Sequence, residues 1–148
     1  MADDVLESSA LHALLAHRFP FLLVDRILIV EPGRSVIGTK CVSAGEWWCD
    51  PQVPHAGAMP FSLVIEALAQ TTGALLRDLN DGAGEGLAYF MGADKVRLRR
   101  RAYPGDEIAL AVSLVQLRRG VCRTRAVATI DGELVARALL TVVVRSTR

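Results

Sequence analysis

Several features on which common functions depend are scarce in this sequence of 148 residues. The three cysteines (Cys41, Cys49 and Cys122) show no C-x-x-C spacing, which argues against a zinc site or a disulfide framework. Aromatic residues make up only 5% of the chain, and no nucleic-acid-binding motif is present, so nucleic acid is a poor candidate partner. No apolar run approaches the ~18 residues that a membrane-spanning helix requires.

The N-terminus also lacks a targeting pattern. Residues 1–4 (MADD) are acidic, whereas a secretory signal begins with positive charge. Together with three thiols that form no disulfide pattern, this predicts a cytoplasmic protein. The length predicts one domain spanning residues 1–148. Hydrophobic residues account for 51% and the mean hydropathy is +0.31, so we expect another subunit to cover part of the surface.

The net charge of +1 conceals an uneven distribution of basic residues. Nine of the seventeen lysines and arginines lie between Lys95 and Arg125, where only Asp106 and Glu107 are acidic. Outward-facing positions on antiparallel strands explain part of this cluster. The remainder predicts a basic docking surface for an acidic partner.

The hydrophobic pattern predicts an α+β protein. A short helix should begin at Ser8 or Ser9 and end near His17. A long helix should follow Pro60 and reach residue 79, with apolar residues around most of its axis. Strands are predicted at 21–30, 35–42, 87–97, 107–117, 121–130 and 133–144, with tight turns at Arg119–Gly120 and Asp131–Gly132. The simplest arrangement is a curled antiparallel sheet of about six strands wrapped around one long central helix.

Glu66 is the most informative residue because it lies within the apolar part of the long helix. A charged carboxylate is costly in such surroundings, so this carboxyl should be neutral or paired. A neutral, desolvated carboxyl is what a general acid requires near neutral pH. The alternative is a structural carboxyl at a subunit interface.

Four sequence blocks, in order and in register, resemble the FabZ-type 3-hydroxyacyl-[acyl-carrier-protein] dehydratases. They are residues 14–26 (LLAHRFPFLLVDR), 66–73 (EALAQTTG), 89–94 (YFMGAD) with 104–106 (PGD), and 118–120 (RRG). The resemblance implies a hotdog fold and a homo- or heterodimer with active sites at the subunit interface. It also implies removal of water from 3-hydroxyacyl thioesters in fatty-acid or polyketide synthesis, with no cofactor beyond the phosphopantetheine arm of acyl-carrier protein.

In that family, a histidine of one subunit removes the C2 proton and a carboxyl of the other protonates the leaving hydroxyl. Glu66 falls on the position of this acid. Backbone N–H groups at the start of the central helix polarise the thioester carbonyl, as the free donors of a helix terminus can. The expected substrate-contacting residues are Gln52, Pro60, Phe61, Ser62, Gln70, Met91 and Gly92. The expected carrier-protein dock comprises Arg97, Arg99, Arg100, Arg101, Arg118 and Arg119.

The loop before the helix departs from the family pattern G-H-F-P-G-x-P-x-x-P-G. With Pro54 and Pro60 in register, Gln52 occupies the position of the catalytic histidine, and an amide cannot accept a proton at a useful pH. Phe61 replaces the glycine at the helix start, where its side chain takes up space beside the substrate.

Three interpretations of this departure remain open. His55, three residues further along the same loop, takes over as the base, since an extended chain spans up to ~3.6 Å per residue. Alternatively, a related partner chain supplies the histidine in a heterodimer. In the third interpretation, the chain is a non-catalytic acyl-thioester-binding or scaffolding subunit. His17 belongs to the first block, but we assign it to a helix end instead of to the chemistry.

Overall fold

All seven strands of the structure belong to one antiparallel sheet. The computed structural model describes residues 4–54, 56–77 and 86–146, apart from the side chains of residues 86, 87, 145 and 146. The strands are β1 (Asp4–Leu6), β2 (Arg26–Glu31), β3 (Ser35–Cys41), β4 (Gly86–Leu98), β5 (Glu107–Arg118), β6 (Val121–Ile130) and β7 (Glu133–Ser146). Their order across the sheet is β1-β2-β3-β5-β6-β7-β4.

The long helix α2 (Phe61–Arg77) lies against β3, β5, β6 and β7. Its buried residues include Ala67, Leu68, Ala74 and Leu75, which join inward-facing strand residues in the core. A shorter helix, α1 (Ser8–Leu14), and a single 3-10 turn at Trp47–Cys49 complete the secondary structure of the described residues. The predicted arrangement, a curled antiparallel sheet around one long helix, is confirmed.

Two boundaries differ from the prediction for physical reasons. The strand expected at 21–30 begins only at Arg26, because the Leu23 N–H is bonded to the Gln70 side chain instead of to a neighbouring strand. The first helix ends at Leu14, three residues before His17. The short strand β1 is a seventh strand that was not predicted, and most of the predicted connector at 80–86 lies outside the described residues.

Both predicted tight turns are present. Asp131 and Gly132 have φ of +49° and +80°, and Arg119 and Gly120 have φ of +52° and +77°. Two successive residues with positive φ match the twist of the flanking strands. These turns connect β5 to β6 and β6 to β7 as neighbouring antiparallel strands. The 13-residue β4 follows β7 in the strand order and lies at the edge of the sheet.

Candidate active site

The Glu66 carboxyl is held at one oxygen and unbonded at the other. Its side chain, on the first half of α2, is 27% exposed. Oε1 lies 3.1 Å from Nε2 of His17 and 2.9 Å from Nε2 of Gln70. Oε2 makes no hydrogen bond to any residue that the structure describes. Oε1 is therefore held in place, and Oε2 remains available for a hydrogen bond or a proton transfer to another molecule.

Gln70 links α2 to the segment before β2. It lies four residues after Glu66, on the same face of the helix, and is 2% exposed. Its Oε1 accepts the Leu23 N–H at 3.0 Å, and its Nε2 donates to the Phe21 carbonyl at 2.8 Å. Gln70, one of the expected substrate-contacting residues, is thus beside Glu66, and every polar atom of its side chain is bonded.

His17 reaches Glu66 from outside the helix, a role that the sequence analysis missed. It lies in the segment between α1 and β2, and its ring is stacked near that of Phe21, with centroids 6.4 Å apart and an interplanar angle of 19°. The Nδ1 atom is buried without a hydrogen-bond partner in the described structure. The sequence signal that could have suggested this role is that His17 lies in residues 14–26, the same family-like block that contains Phe21.

Arg18 fixes the backbone around His17. Its guanidinium donates to the carbonyls of Leu15 at 2.6 Å, His17 at 2.7 Å and His12 at 2.9 Å. Such charge-assisted bonds are stronger than bonds between neutral groups. The backbone is therefore held on both sides of His17. Arg18 bonds the carbonyls at and before His17, and Gln70 bonds the Phe21 carbonyl after it.

The start of α2 carries free backbone donors. The N–H groups of Leu63 and Val64 donate to the Pro60 carbonyl, at 2.9 and 3.2 Å. Those of Phe61 and Ser62 donate to no carbonyl within the described ranges. Exposed N–H groups at a helix N-terminus can stabilise negative charge on an oxygen. This agrees with the expected place of Pro60, Phe61 and Ser62 at the substrate thioester.

The loop before α2 is anchored by a buried ion pair. Lys40, 5% exposed, donates to Glu46 at 2.5 Å, and its Nζ lies 5.9 Å from the ring centroid of the buried Trp48. Gln52 lies further along, exposed, with its N–H bonded to Asp50 at 2.9 Å. His55, the candidate base, lies outside the described residues.

Met91 and Gly92 lie on the edge strand β4. Met91 is 64% exposed, and no atom lies within 4 Å of the position that a Cβ would take on Gly92. Tyr89 and Phe90 beside them are each 48% exposed.

The six expected docking arginines form two groups. The Arg100 N–H donates to the carbonyl of Leu134, at the start of β7. Arg118 on β5 pairs with Val121 on β6. Val121 in turn pairs with Val143, near the other end of β7, so Arg118 lies level with Val143. Nine residues of β7 separate these levels, which at ~3.3 Å per residue is roughly 30 Å. One chain therefore holds the six arginines in two separate groups, and the predicted carrier-protein dock stays a prediction.

The group at 97–101 is the one near α2. The Arg101 guanidinium lies 5.4 Å from the ring centroid of Phe61, at the start of the helix. Arg100 is paired with Asp106 at 3.2 Å and Glu133 at 3.3 Å. Arg97 and Arg99 are exposed and make no ion pair within the described residues.

The second group lines an open cleft on the outward face of the sheet. The cleft has a volume of about 400 Å³, and Arg118, Arg119 and Arg123 contribute to its walls. Since Cys122 and Thr124 point inward to the core, Arg123 points away from α2. This cleft is separate from the Glu66 site.

The described residues include no cluster of three or more histidine, cysteine or acidic side chains placed to hold a metal ion. Among the same residues, none of the helices has the length and apolar character needed to cross a membrane.

Comparison with known proteins gives consistent matches over most of the chain. The model of the FabA-like domain matches residues 15–139. A 3-hydroxyacyl-[acyl-carrier-protein] dehydratase FabZ of Roseiflexus sp. (strain RS-1) is 43% identical over 123 residues, covering 83% of this chain and 85% of the relative. The FabZ of Pelotomaculum thermopropionicum is 41% identical over 141 residues, covering 95% of this chain and 100% of the relative.

Among solved structures, the dehydratase heterocomplex ApeI:P from Xenorhabdus doucetiae matches with a TM-score of 0.75. The identity is 18%, and the match covers 90% of this chain and 89% of that one. At this identity the likeness concerns the fold alone, and it confirms the expected hotdog arrangement.

Proposed function

This chain belongs to the FabA-like domain family, and we propose that it removes water from 3-hydroxyacyl thioesters carried on acyl-carrier protein, giving 2-enoyl thioesters. The observation that carries the proposal is the Glu66 carboxyl: Oε1 accepts a hydrogen bond from Gln70 and lies 3.1 Å from His17 Nε2, whereas Oε2 makes no hydrogen bond among the described residues. A partly desolvated carboxyl with one free oxygen suits proton donation to a leaving hydroxyl.

The steps follow from the site. The thioester carbonyl oxygen accepts hydrogen bonds from the free N–H groups of Phe61 and Ser62, which makes the C2 proton more acidic. A base takes that proton, the C2–H electron pair forms the C2=C3 double bond, and the C3–O bond breaks. Glu66 gives its proton to the departing oxygen, which leaves as water, and the carboxylate is reprotonated before the next cycle.

The base is the imidazole of His55 from a second copy of the chain. Gln52 cannot serve, because an amide accepts no proton near neutral pH. His55 is the only histidine of the loop that precedes α2. A histidine from a related hotdog subunit is the second possibility, and the test below separates the two.

The edge strand β4 is the proposed dimer contact. Its 13 residues end the sheet, so their outer N–H and C=O groups lack a strand partner among the described residues. Tyr89, Phe90 and Met91 expose apolar surface there. Pairing with a second chain would give these backbone groups hydrogen-bond partners and would cover the apolar side chains. It would also place the second chain beside Met91 and Gly92, which one chain leaves open.

The partner that delivers substrate is acyl-carrier protein, in the cytoplasm, in fatty-acid or polyketide synthesis. No cofactor is required beyond the phosphopantetheine arm. Arg97 and Arg99, which make no ion pair with any described residue, form the docking edge near the start of α2 together with Arg101 at Phe61. They suit an acidic carrier.

Two inactive variants test the reaction and its assembly together. Glu66→Gln lacks the acid and His55→Ala lacks the base, so each alone should lose at least ~100-fold in turnover, measured by mass on a 3-hydroxyacyl-carrier-protein. If each site uses Glu66 of one chain and His55 of the other, mixing the variants after subunit exchange restores one intact site per mixed dimer. Random exchange should then recover about a quarter of wild-type turnover.

Three other results of these measurements would each lead to a different conclusion. Full activity of His55→Ala removes His55 as the base. Turnover that appears only after a second hotdog chain is added assigns the base to that chain. If the wild-type chain binds the acylated carrier but shows no turnover in any pairing, the proposed function is wrong and the chain is a binding subunit.

A further inference from the structure

We propose that Phe61 is a specificity-determining residue, whose ring, held in place by Arg101, limits the group that a substrate can carry at C2. The site should therefore prefer 3-hydroxyacyl thioesters that are unbranched at C2 over those with a methyl group there. The inference rests on the proposed function, and in particular on the placement of the thioester carbonyl at the start of α2.

The ring of Phe61 lies at the end of α2 that has free backbone donors. Phe61 is the first residue of the helix, and its N–H and that of Ser62 donate to no acceptor among the described residues. Side chains of a helix lean toward its N-terminus, so the ring leans toward this same end. A carbonyl oxygen that accepts from these N–H groups brings C2, which is bonded to the carbonyl carbon, close to the ring.

Two contacts restrict the ring. Phe61 is partly buried and packs against the hydrophobic core. The guanidinium carbon of Arg101 lies 5.4 Å from the ring centroid, within the ~6 Å at which a guanidinium attracts an aromatic face. Arg101 makes no ion pair with a described residue, so no carboxylate in that part of the chain competes with the ring for its charge. The ring is therefore held by the core and by Arg101 together.

The backbone beside Arg101 is fixed to the segment that leads into α2. The Met59 N–H donates to the Ala102 carbonyl at 2.9 Å. The Asp106 carboxylate accepts the Tyr103 N–H at 2.8 Å, which closes the turn that follows. Because these bonds tie the backbone after Arg101 to the start of the helix, its guanidinium approaches the ring from a fixed position.

A ring held in this way limits the space at C2. The other neighbour of the carbonyl carbon is the sulfur, which carries the pantetheine arm in every substrate, so substrates can differ here only at C2. A hydrogen at C2 takes little room, whereas a methyl group would press against the ring. In an apolar pocket, one such group changes selectivity by roughly 10–200-fold. The arrangement therefore favours substrates that are unbranched at C2.

The kinetic test compares 3-hydroxybutyryl with 2-methyl-3-hydroxybutyryl thioesters of pantetheine. These substrates lack the acidic carrier, so the loss of an arginine cannot act through docking. The wild type should favour the unbranched substrate in kcat/KM by at least ~10-fold. Phe61→Ala should lower this ratio roughly tenfold, because the ring is gone. Arg101→Met, which keeps a long side chain without charge, should lower it about threefold, because the ring remains but is less firmly held.

The methyl group also changes the intrinsic reactivity of the substrate, so the measured quantity is the change in the ratio between proteins. Arg125→Met is the matched control, since Arg125 is exposed on the outward face of β6, between the buried Thr124 and Ala126. It should leave the ratio as in the wild type. If Phe61→Ala does not fold, Phe61→Leu, which keeps apolar volume, should give an intermediate ratio.

An unchanged ratio in a folded Phe61 variant overturns the inference. An unchanged ratio in Arg101→Met, with a lowered ratio in Phe61→Ala, overturns the part assigned to Arg101. A shift in Arg125→Met equal to that in Arg101→Met has the same consequence, because it would show that loss of any exposed arginine suffices.

A binding measurement separates this inference from the proposed function. In the Glu66→Gln background, calorimetry should show tighter binding of the unbranched thioester, and adding Phe61→Ala should reduce the difference in affinity. If the wild type turns over neither substrate but this binding preference is present and depends on Phe61, the proposed function fails and the role of the ring stands. If turnover occurs but neither the kinetic ratio nor the affinity difference responds to Phe61, the proposed function stands and the inference is wrong.

Discussion

Gln70 Oε1 accepts the backbone N–H of Leu23 at 3.0 Å, across 47 positions of the sequence. This bond, with that from Gln70 Nε2 to the Phe21 carbonyl, attaches the segment before β2 to the central helix. The same side chain donates to Glu66, so one buried amide holds both the backbone and the proposed acid of the site.

Replacing Gln70 by leucine should therefore destabilise the protein markedly. The substitution leaves the buried Leu23 N–H without its acceptor and the partly buried Phe21 carbonyl without its donor, and a buried unpaired group costs about 1–3 kcal/mol. We expect the free energy of unfolding in urea to fall by roughly 2–4 kcal/mol. Ser62→Ala, at an exposed position of the same helix, is the control and should change it by less than ~0.5 kcal/mol. A Gln70→Leu protein as stable as this control would contradict the prediction.

Gly38 on β3 is required for close packing of the sheet on α2. A Cβ there would lie 2.5 Å from Oγ1 of Thr71, whose hydroxyl is buried and bonded to the Ala67 carbonyl. Gly38→Ala should lower the free energy of unfolding by about 1–3 kcal/mol, the usual cost of overpacking.

Gly45 provides the matched control, since a Cβ there would meet only Ser43 Oγ, at an ordinary 3.6 Å. Gly45→Ala should leave the chemical unfolding midpoint nearly unchanged. Equal midpoints for the two alanine variants would show that β3 can move away from α2 at little cost.

Arg99 tests the docking edge near the start of α2. It is exposed and makes no ion pair within the described residues, whereas Arg100 is already paired with Asp106 and Glu133. Arg99→Glu should weaken binding of an acidic carrier protein roughly tenfold at low salt, measured by calorimetry, and the effect should shrink as salt is added.

Arg118→Glu is the comparison, because Arg118, the last residue of β5, lies level with the far end of β7. It should weaken carrier binding less than Arg99→Glu does. An equal or larger loss would move the dock to the cleft lined by Arg118, Arg119 and Arg123.

Cys122 gives a prediction about stability at alkaline pH. Burial raises the pKa of its thiol from about 9 to about 11. The folded state thus holds this proton more tightly than the unfolded state, and stability is lost as the pH rises from about 9 through about 11. The expected loss is about 2 kcal/mol between about pH 8 and about pH 10.5.

The measurement is the unfolding free energy of wild type and Cys122→Ala at both pH values. The stability difference between them should shrink by about 2 kcal/mol at the higher pH. Val142→Ala removes atoms from the same small cluster without removing a thiol, so its difference from wild type should not change with pH. Parallel behaviour of the two variants would contradict the assignment to Cys122.

Local chemistry determined much of the fold. The strand Val121–Ile130 was predicted with its observed bounds. Along it, buried and exposed residues largely alternate, and a two-residue turn with positive φ lies at each end, Arg119–Gly120 before it and Asp131–Gly132 after it. The central helix was predicted from Pro60 and from apolar residues around its axis. These signals act over a few residues, so the sequence displays them directly.

The start of β2 and the role of His17 were not predictable in this way. Both depend on Gln70, which is distant in sequence and reaches the segment only after α2 has packed on the sheet. The pattern of residues 21–25 favours a strand, but the side-chain amide takes the N–H that a strand would use.

The sequence by itself determined the family and the fold class, because the resembling blocks and the hydrophobic pattern lie along the chain, and it singled out Glu66 as the proposed acid. Only the tertiary structure decided what Glu66 touches and where the arginines lie. Contacts between His17, Gln70 and Glu66, and the separation of Arg100 from Arg118 along β7, arise from long-range packing and strand order, which no local spacing encodes.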